Sequence, residues 1–181
     1  TAIGTGALTS NTTGGNNTAV GLNALSSNTT GTSNTCIGWY AGIANTTGSY
    51  NTSIGETSLR YNTTGSDNTA VGYSALLSNT IGSNNVAIGE SSLYSNTTGT
   101  SSTAVGYQAG YDATTGSTNT FVGYNTGRGI TTGNYNTIIG ASVTGLSATL
   151  SNTVIIADGQ GNQRLYIDSS GYVGVGTSST Y

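Results

Sequence analysis

The sequence predicts an all-β protein: a parallel β-solenoid, or β-roll, built from 17-residue coils. Three observations predict it. A glycine recurs at Gly4, Gly21, Gly38, Gly55, Gly72, Gly89, Gly106, Gly123 and Gly140, each 17 residues after the last. The residue before it is always Val or Ile (Ile3, Val20, Ile37, Ile54, Val71, Ile88, Val105, Val122, Ile139), a β-branched type suited to a half-buried strand. No window carries a 3.6-residue period, and the glycines fall too often for a helix interior.

Composition fixes the limits. Only 34% of the 181 residues are hydrophobic and 29 are glycine, with no proline, histidine or methionine. Such a composition alone reads as disorder, but a disordered segment has no reason to hold a fixed period. Six carboxylates face three arginines, a net charge of −3 with no basic cluster, which argues against nucleic acid as a partner. No apolar run has the length of a bilayer span, which argues against membrane insertion. The chain begins in mid-repeat at Thr1 and reads as a piece of a longer protein. Cys36 is the single cysteine, so neither a disulfide framework nor a cysteine metal cluster is expected within one chain, and no cofactor is implied.

Counting the recurrent glycine as slot 0, slot +3 is small (Ala7, Ala24, Ala41, Ser58, Ala75, Ser92, Ala109, Thr126) and slot +4 alternates between Leu and Gly. A second glycine at slot +10 follows Asn-Thr-Thr in most coils. The expected coil has two short strands and two turns, with Val/Ile inside and Asn and Thr bonding from coil to coil along the turns. Residues 1–140 form this solenoid, 141–151 a transition, and 152–181 a small β-meander with strands at Thr153–Ala157, Gln163–Ile167 and Tyr172–Gly176. That last unit caps the array or joins it to something further.

Each coil holds too little apolar surface to offset its backbone entropy alone, which predicts a core shared between chains. Slot −2 is the expected contact: Ala19, Cys36, Ala70, Ala87 and Ala104 let chains approach closely, with Phe121 and Ile138 plugging one end. Pleat alternation puts this slot opposite the Val/Ile slot. A homotrimer is the expected assembly.

Slot +1 carries the candidate binding residues: Trp39, Glu56, Tyr73, Glu90, Tyr107 and Tyr124 in one file along the stack. The aromatics offer flat amphipathic faces to a glycan, and the glutamates accept hydroxyl hydrogen bonds. Packing of the aromatics along the rod is the plainer alternative. Glu56 and Glu90 stand ~10 Å apart, at the edge of the carboxylate separation of inverting glycosidases, but nothing else in the chain supports acid–base work. No enzyme activity is expected. Asn-x-Ser/Thr sequons at Asn11, Asn16, Asn28, Asn45, Asn51, Asn62 and Asn96 fall mostly out of the repeat itself.

The Asn-Thr-Ala-Val-Gly run at Asn17–Gly21 with Ala24, and its copies, resembles the head repeats of trimeric autotransporter adhesins of the YadA type. Those repeats build a β-roll within a trimer, from coils commonly shorter than the 17 residues here. The segment Asn152–Gly159, with Arg164–Thr177, is similar to a part of bacteriophage tail fibres and tailspikes. Together the resemblances imply a structural and adhesive segment of a trimeric extracellular fibre, a phage tail fibre or a surface adhesin, that binds a host-surface glycan or protein. A self-assembling extracellular filament is the alternative. An ice-binding solenoid is weaker, because Val or Ile takes the second place of the expected Thr-x-Thr pair. A polysaccharide depolymerase acting through Glu56 is weaker still.

Overall fold

The computed structural model of the chain describes residues 1–176. Its strands are short: β1 (Ala2–Ile3), β2 (Thr18–Val20), β3 (Thr35–Ile37), β4 (Thr52–Ile54), β5 (Thr69–Val71), β6 (Val86–Ile88), β7 (Thr103–Val105), β8 (Thr120–Val122), β9 (Thr137–Ile139), β10 (Val154–Ala157), β11 (Gln163–Ile167) and β12 (Val173–Val175). All lie in one sheet in chain order. From β1 to β10 neighbours pair in parallel, each residue opposite the one 17 later: Ala19 faces Cys36, and Ile138 faces Ile155. The chain is a parallel β-solenoid without helix among the described residues. β10, β11 and β12 then pair antiparallel. The expected third segment ran on to Tyr181, and residues 177–181 lie outside the described ones.

The coil register outlasts the glycine beat. Thr137, Ile138 and Ile139 face Val154, Ile155 and Ile156, so one more coil closes after Gly140, with Ala157 in the glycine's slot. The sequence expectation of two strands per coil is corrected to one. The rest of each coil bends too often to extend: Asn23, Leu25 and Ser33 have φ of 54°, 50° and 57°, and their equivalents follow suit. This explains the Leu/Gly alternation at slot +4. The position requires a left-handed backbone, which glycine adopts freely at Gly42, Gly110 and Gly127. Leu59, Leu76 and Leu93 accept it at φ of 47–50° because each is sealed in the core.

A second correction concerns which face looks inward. The small slot −2 lines the coil's own interior: Ala19, Ala70, Ala87, Ala104, Phe121 and Ile138 are 0% exposed and Cys36 1%. The Val/Ile slot points out instead, with Ile37, Ile54, Ile88 and Ile139 at 37–41% exposure. A 17-residue coil is narrow, and its cross-section is filled from the other walls by Leu at slot +4 and Asn at slot +7. Alanine is what fits between them.

Two files of buried asparagine complete the interior. At slot +7, Asn45 donates to Asn28 Oδ1 at 2.8 Å and to Gly48 O at 2.9 Å, and Asn28, Asn62, Asn79 and Asn96 repeat this pattern. At slot −4, Asn34 Nδ2 donates to Gly48 O at 2.9 Å while Asn17 Oδ1 accepts from Asn34 N. Hydroxyls at slot +11 replace missing ladder bonds in the same way, as when Thr32 N donates to Ser49 Oγ at 3.0 Å. Most buried polar groups are thereby satisfied from coil to coil, Asn96 Oδ1 and Thr126 Oγ1 being exceptions. The sequons at Asn28, Asn45, Asn51, Asn62 and Asn96 belong to these files and are sealed inside the coil.

Candidate functional site

The slot +1 file begins where each strand ends. At slot 0 the chain turns with φ of 123–141° and packs directly on the next coil's glycine, leaving no room for a Cβ. The residue at slot +1 is thus thrown outward at the start of a turn. Its carbonyl accepts from slot +2 of the next coil, as in Thr57 N to Trp39 O at 2.8 Å, Ser91 N to Tyr73 O at 2.8 Å and Asn125 N to Tyr107 O at 2.7 Å. Those bonds keep Trp39, Glu56, Tyr73, Glu90, Tyr107 and Tyr124 in register, and all six are exposed.

The file is not a uniform platform. Tyr107 and Tyr124 stack on each other, centroids 5.2 Å apart at 12°, so each covers a face of the other. Tyr73 stands between Glu56 and Glu90 without an aromatic neighbour. Trp39 leans on Tyr40 at 4.8 Å and 27°. Glu56 and Glu90 share no acceptor or donor with each other, and Tyr73's coil separates them.

Sequence reasoning missed a second file at slot +5, which runs Arg60, Leu77, Tyr94, Tyr111 and Arg128. Tyr94 and Tyr111 stack at 4.9 Å and 6°. Arg128 lies over the Tyr111 ring at 4.7 Å. Its Nε and Nη2 donate to Asp112 at 2.8 and 3.2 Å, and its Nη1 donates to Gln108 Oε1 and Asn125 Oδ1. Partial burial pushes the Asp112 carboxyl up, but the hydrogen bonds from Arg128 and from Gly129 N outweigh it and hold the group below its ordinary value. Arg60 sits over Tyr40 and Tyr61 at 5.2 and 5.4 Å. The shared slot was the available signal, since Arg60 and Arg128 both lie five residues after a repeat glycine.

Slot −2 offers nothing to a partner, because its residues are closed inside the coil. Burial pushes the Cys36 thiol up to about 12 against a hydrogen bond with Ser53, which leaves it a neutral core group. The surface that remains apolar is the outer strand face, with Thr at slot −3 and Val/Ile at slot −1. No helix among the described residues is long and apolar enough to cross a membrane. No protein-family model, curated protein or solved structure matches the chain.

Proposed function

We propose that the chain is a structural and adhesive segment of a homotrimeric extracellular fibre, of the phage tail-fibre or surface-adhesin kind, that meets a host-surface glycan or protein. One observation carries the reading. The outer strand face presents Ile3, Val20, Ile37, Ile54, Val71, Ile88, Val105, Val122, Ile139 and Ile156 as one unbroken apolar file, flanked by Thr or Val at slot −3 and without a charge in either file. A face repeating every ~4.8 Å over nearly the whole rod is matched best by another copy of itself in the same register. The shared core expected from the sequence is thus moved from slot −2 to slots −3 and −1. The antiparallel strands β10–β12 act as a meander that closes one end of the stack.

Light scattering at several protein concentrations tests this. A constant threefold mass is the expected result, and Ile54→Asp with Ile88→Asp is expected to yield folded monomers. A wild-type chain that stays monomeric overturns the trimer. A mass that climbs with concentration supports the filament instead.

Ice binding is the second reading, and one observation favours it. Thr30 and Thr32, like Thr98 and Thr100, flank an inward glycine and form outward Thr-Gly-Thr pairs that sequence reasoning overlooked. Their slot +11 hydroxyls are engaged, however: Thr32 Oγ1 donates to Ser49 Oγ at 3.4 Å and Thr100 Oγ1 to Ser117 Oγ at 3.5 Å. The slot +9 threonine file is itself interrupted by Ile81, and absence of thermal hysteresis dismisses this reading.

A further inference from the structure

We infer that Trp39, Tyr40, Arg60 and Tyr61 form a binding site for an acidic saccharide, a sugar ring carrying a carboxylate. The inference rests on the adhesive reading and gives it a ligand class and a place on the rod.

Two equivalent arginines of the molecule meet different surroundings. Arg60 and Arg128 occupy the same slot four coils apart, ~19 Å along the rod. Around Arg128 four of the five N–H donors are occupied, by Asp112, Gln108 and Asn125. Around Arg60 the equivalent positions hold Ala44, Tyr40 and Thr57. None of the three takes a hydrogen bond from the guanidinium, and the ion pairs among the described residues belong to Arg128 and Arg164. Arg60 instead lies over two ring faces, those of Tyr40 and Tyr61. A cation fixed over aromatic rings keeps its charge and position while leaving its N–H fork unfilled.

Beside that fork lies an exposed stacking surface. Tyr40 supports one face of Trp39, and the indole is still 46% exposed. Tyr61, the second ring against the cation, is 48% exposed. Indole and phenol faces accept the apolar face of a pyranose, and the guanidinium fork matches a carboxylate with two parallel bonds. Trp39 and Arg60 together select a ring that carries both features. Glu56 follows Trp39 in the slot +1 file and makes no ion pair with Arg60, so it does not fill the fork.

Trp39 is the only tryptophan, so intrinsic fluorescence reads this site directly. The test titrates the full chain with a galacturonic acid hexamer and with an uncharged glucose hexamer. The acidic hexamer is expected to change Trp39 emission and to bind about tenfold or more tightly than the neutral one. Arg60→Gln is expected to lose about tenfold in affinity, Arg60→Lys less, and Arg128→Gln to stay within about twofold. Equal binding of both hexamers, equal losses in the two Gln variants, or no emission change overturns the site. Scattering on the same samples separates this from the assembly: a threefold mass with no acidic-sugar binding sinks the site alone.

Discussion

The coils up to Asn96 and those after it follow one backbone path with differently filled interiors. In the earlier coils slot +7 is asparagine, slot −2 is Ala, Cys or Ser, and slot +4 is mostly Leu. In the later ones slot +7 becomes Ala113 and Ile130, slot −2 passes from Ala104 to Phe121, Ile138 and Ile155, and slot +4 becomes Gly110 and Gly127. The changes compensate. The Phe121 ring takes the space where Leu stands in other coils, and a methyl on Gly110 or Gly127 would collide with it. On a smaller scale Cys36 does the same with Gly42, whose Cβ would meet its Sγ at 2.7 Å. Where the asparagine file ends, Asn96 Oδ1 is left without a partner. The difference teaches that this coil requires constant filled volume and closed hydrogen-bond files rather than any particular residue.

The sharpest way to break that lesson is at Phe121. Phe121→Ala is expected to cost about 3–5 kcal/mol in denaturant unfolding, because the cavity it leaves cannot collapse between two rigid turns. Adding Gly110→Leu should recover part of the loss, since Leu occupies that backbone conformation in Leu93. A double variant no more stable than Phe121→Ala would refute compensation. Next in size is the polar interior. Asn62→Ala strips a donor from Asn45 Oδ1 and Gly65 O and an acceptor from Asn79, at about 2–3 kcal/mol. Asn96→Ala should cost about half of that, because its oxygen accepts nothing. Equal costs would show that the file does not act as a chain of bonds.

Smaller effects come from the ionisable groups. Asp112 has its folded value depressed, so its contribution is present above the unfolded value near ~4 and is lost as pH falls through the folded one. Asp112→Asn should therefore lower stability at neutral pH and flatten the stability profile at the acid end. The Cys36 thiol, pushed up to about 12, should resist alkylation at about pH 8 until the coil unfolds. Labelling as fast as a free thiol would mean that the earlier coils open independently.

The period, the parallel stacking and the solenoid class were legible because every coil repeats the same glycine. The inward face was not, because hydrophobicity ranks Val above Ala while a coil already filled by Leu at slot +4 admits only a small residue at slot −2. Phe121 and Ile138 held the missing signal: large residues appear at slot −2 as slot +4 shrinks to glycine, which places both slots in one space. The slot +1 file was found, but not the ring-on-ring stacking of Tyr107 with Tyr124, since side-chain orientation is set by neighbours along the rod. Arg60 escaped notice because its meaning lies in what Ala44, Tyr40 and Thr57 fail to provide.

The fixed offset of 17 residues makes the length of this molecule a discrete quantity. Removing one coil from Asn45 to Tyr61 shortens the rod by ~4.8 Å and rejoins equivalent backbone edges, so a gene can set reach by copy number alone. Around Phe121 the unit of exchange is larger. Gly110, Phe121 and Gly127 straddle two coils, and a recombination event that separated them would leave a void on one side and a collision on the other.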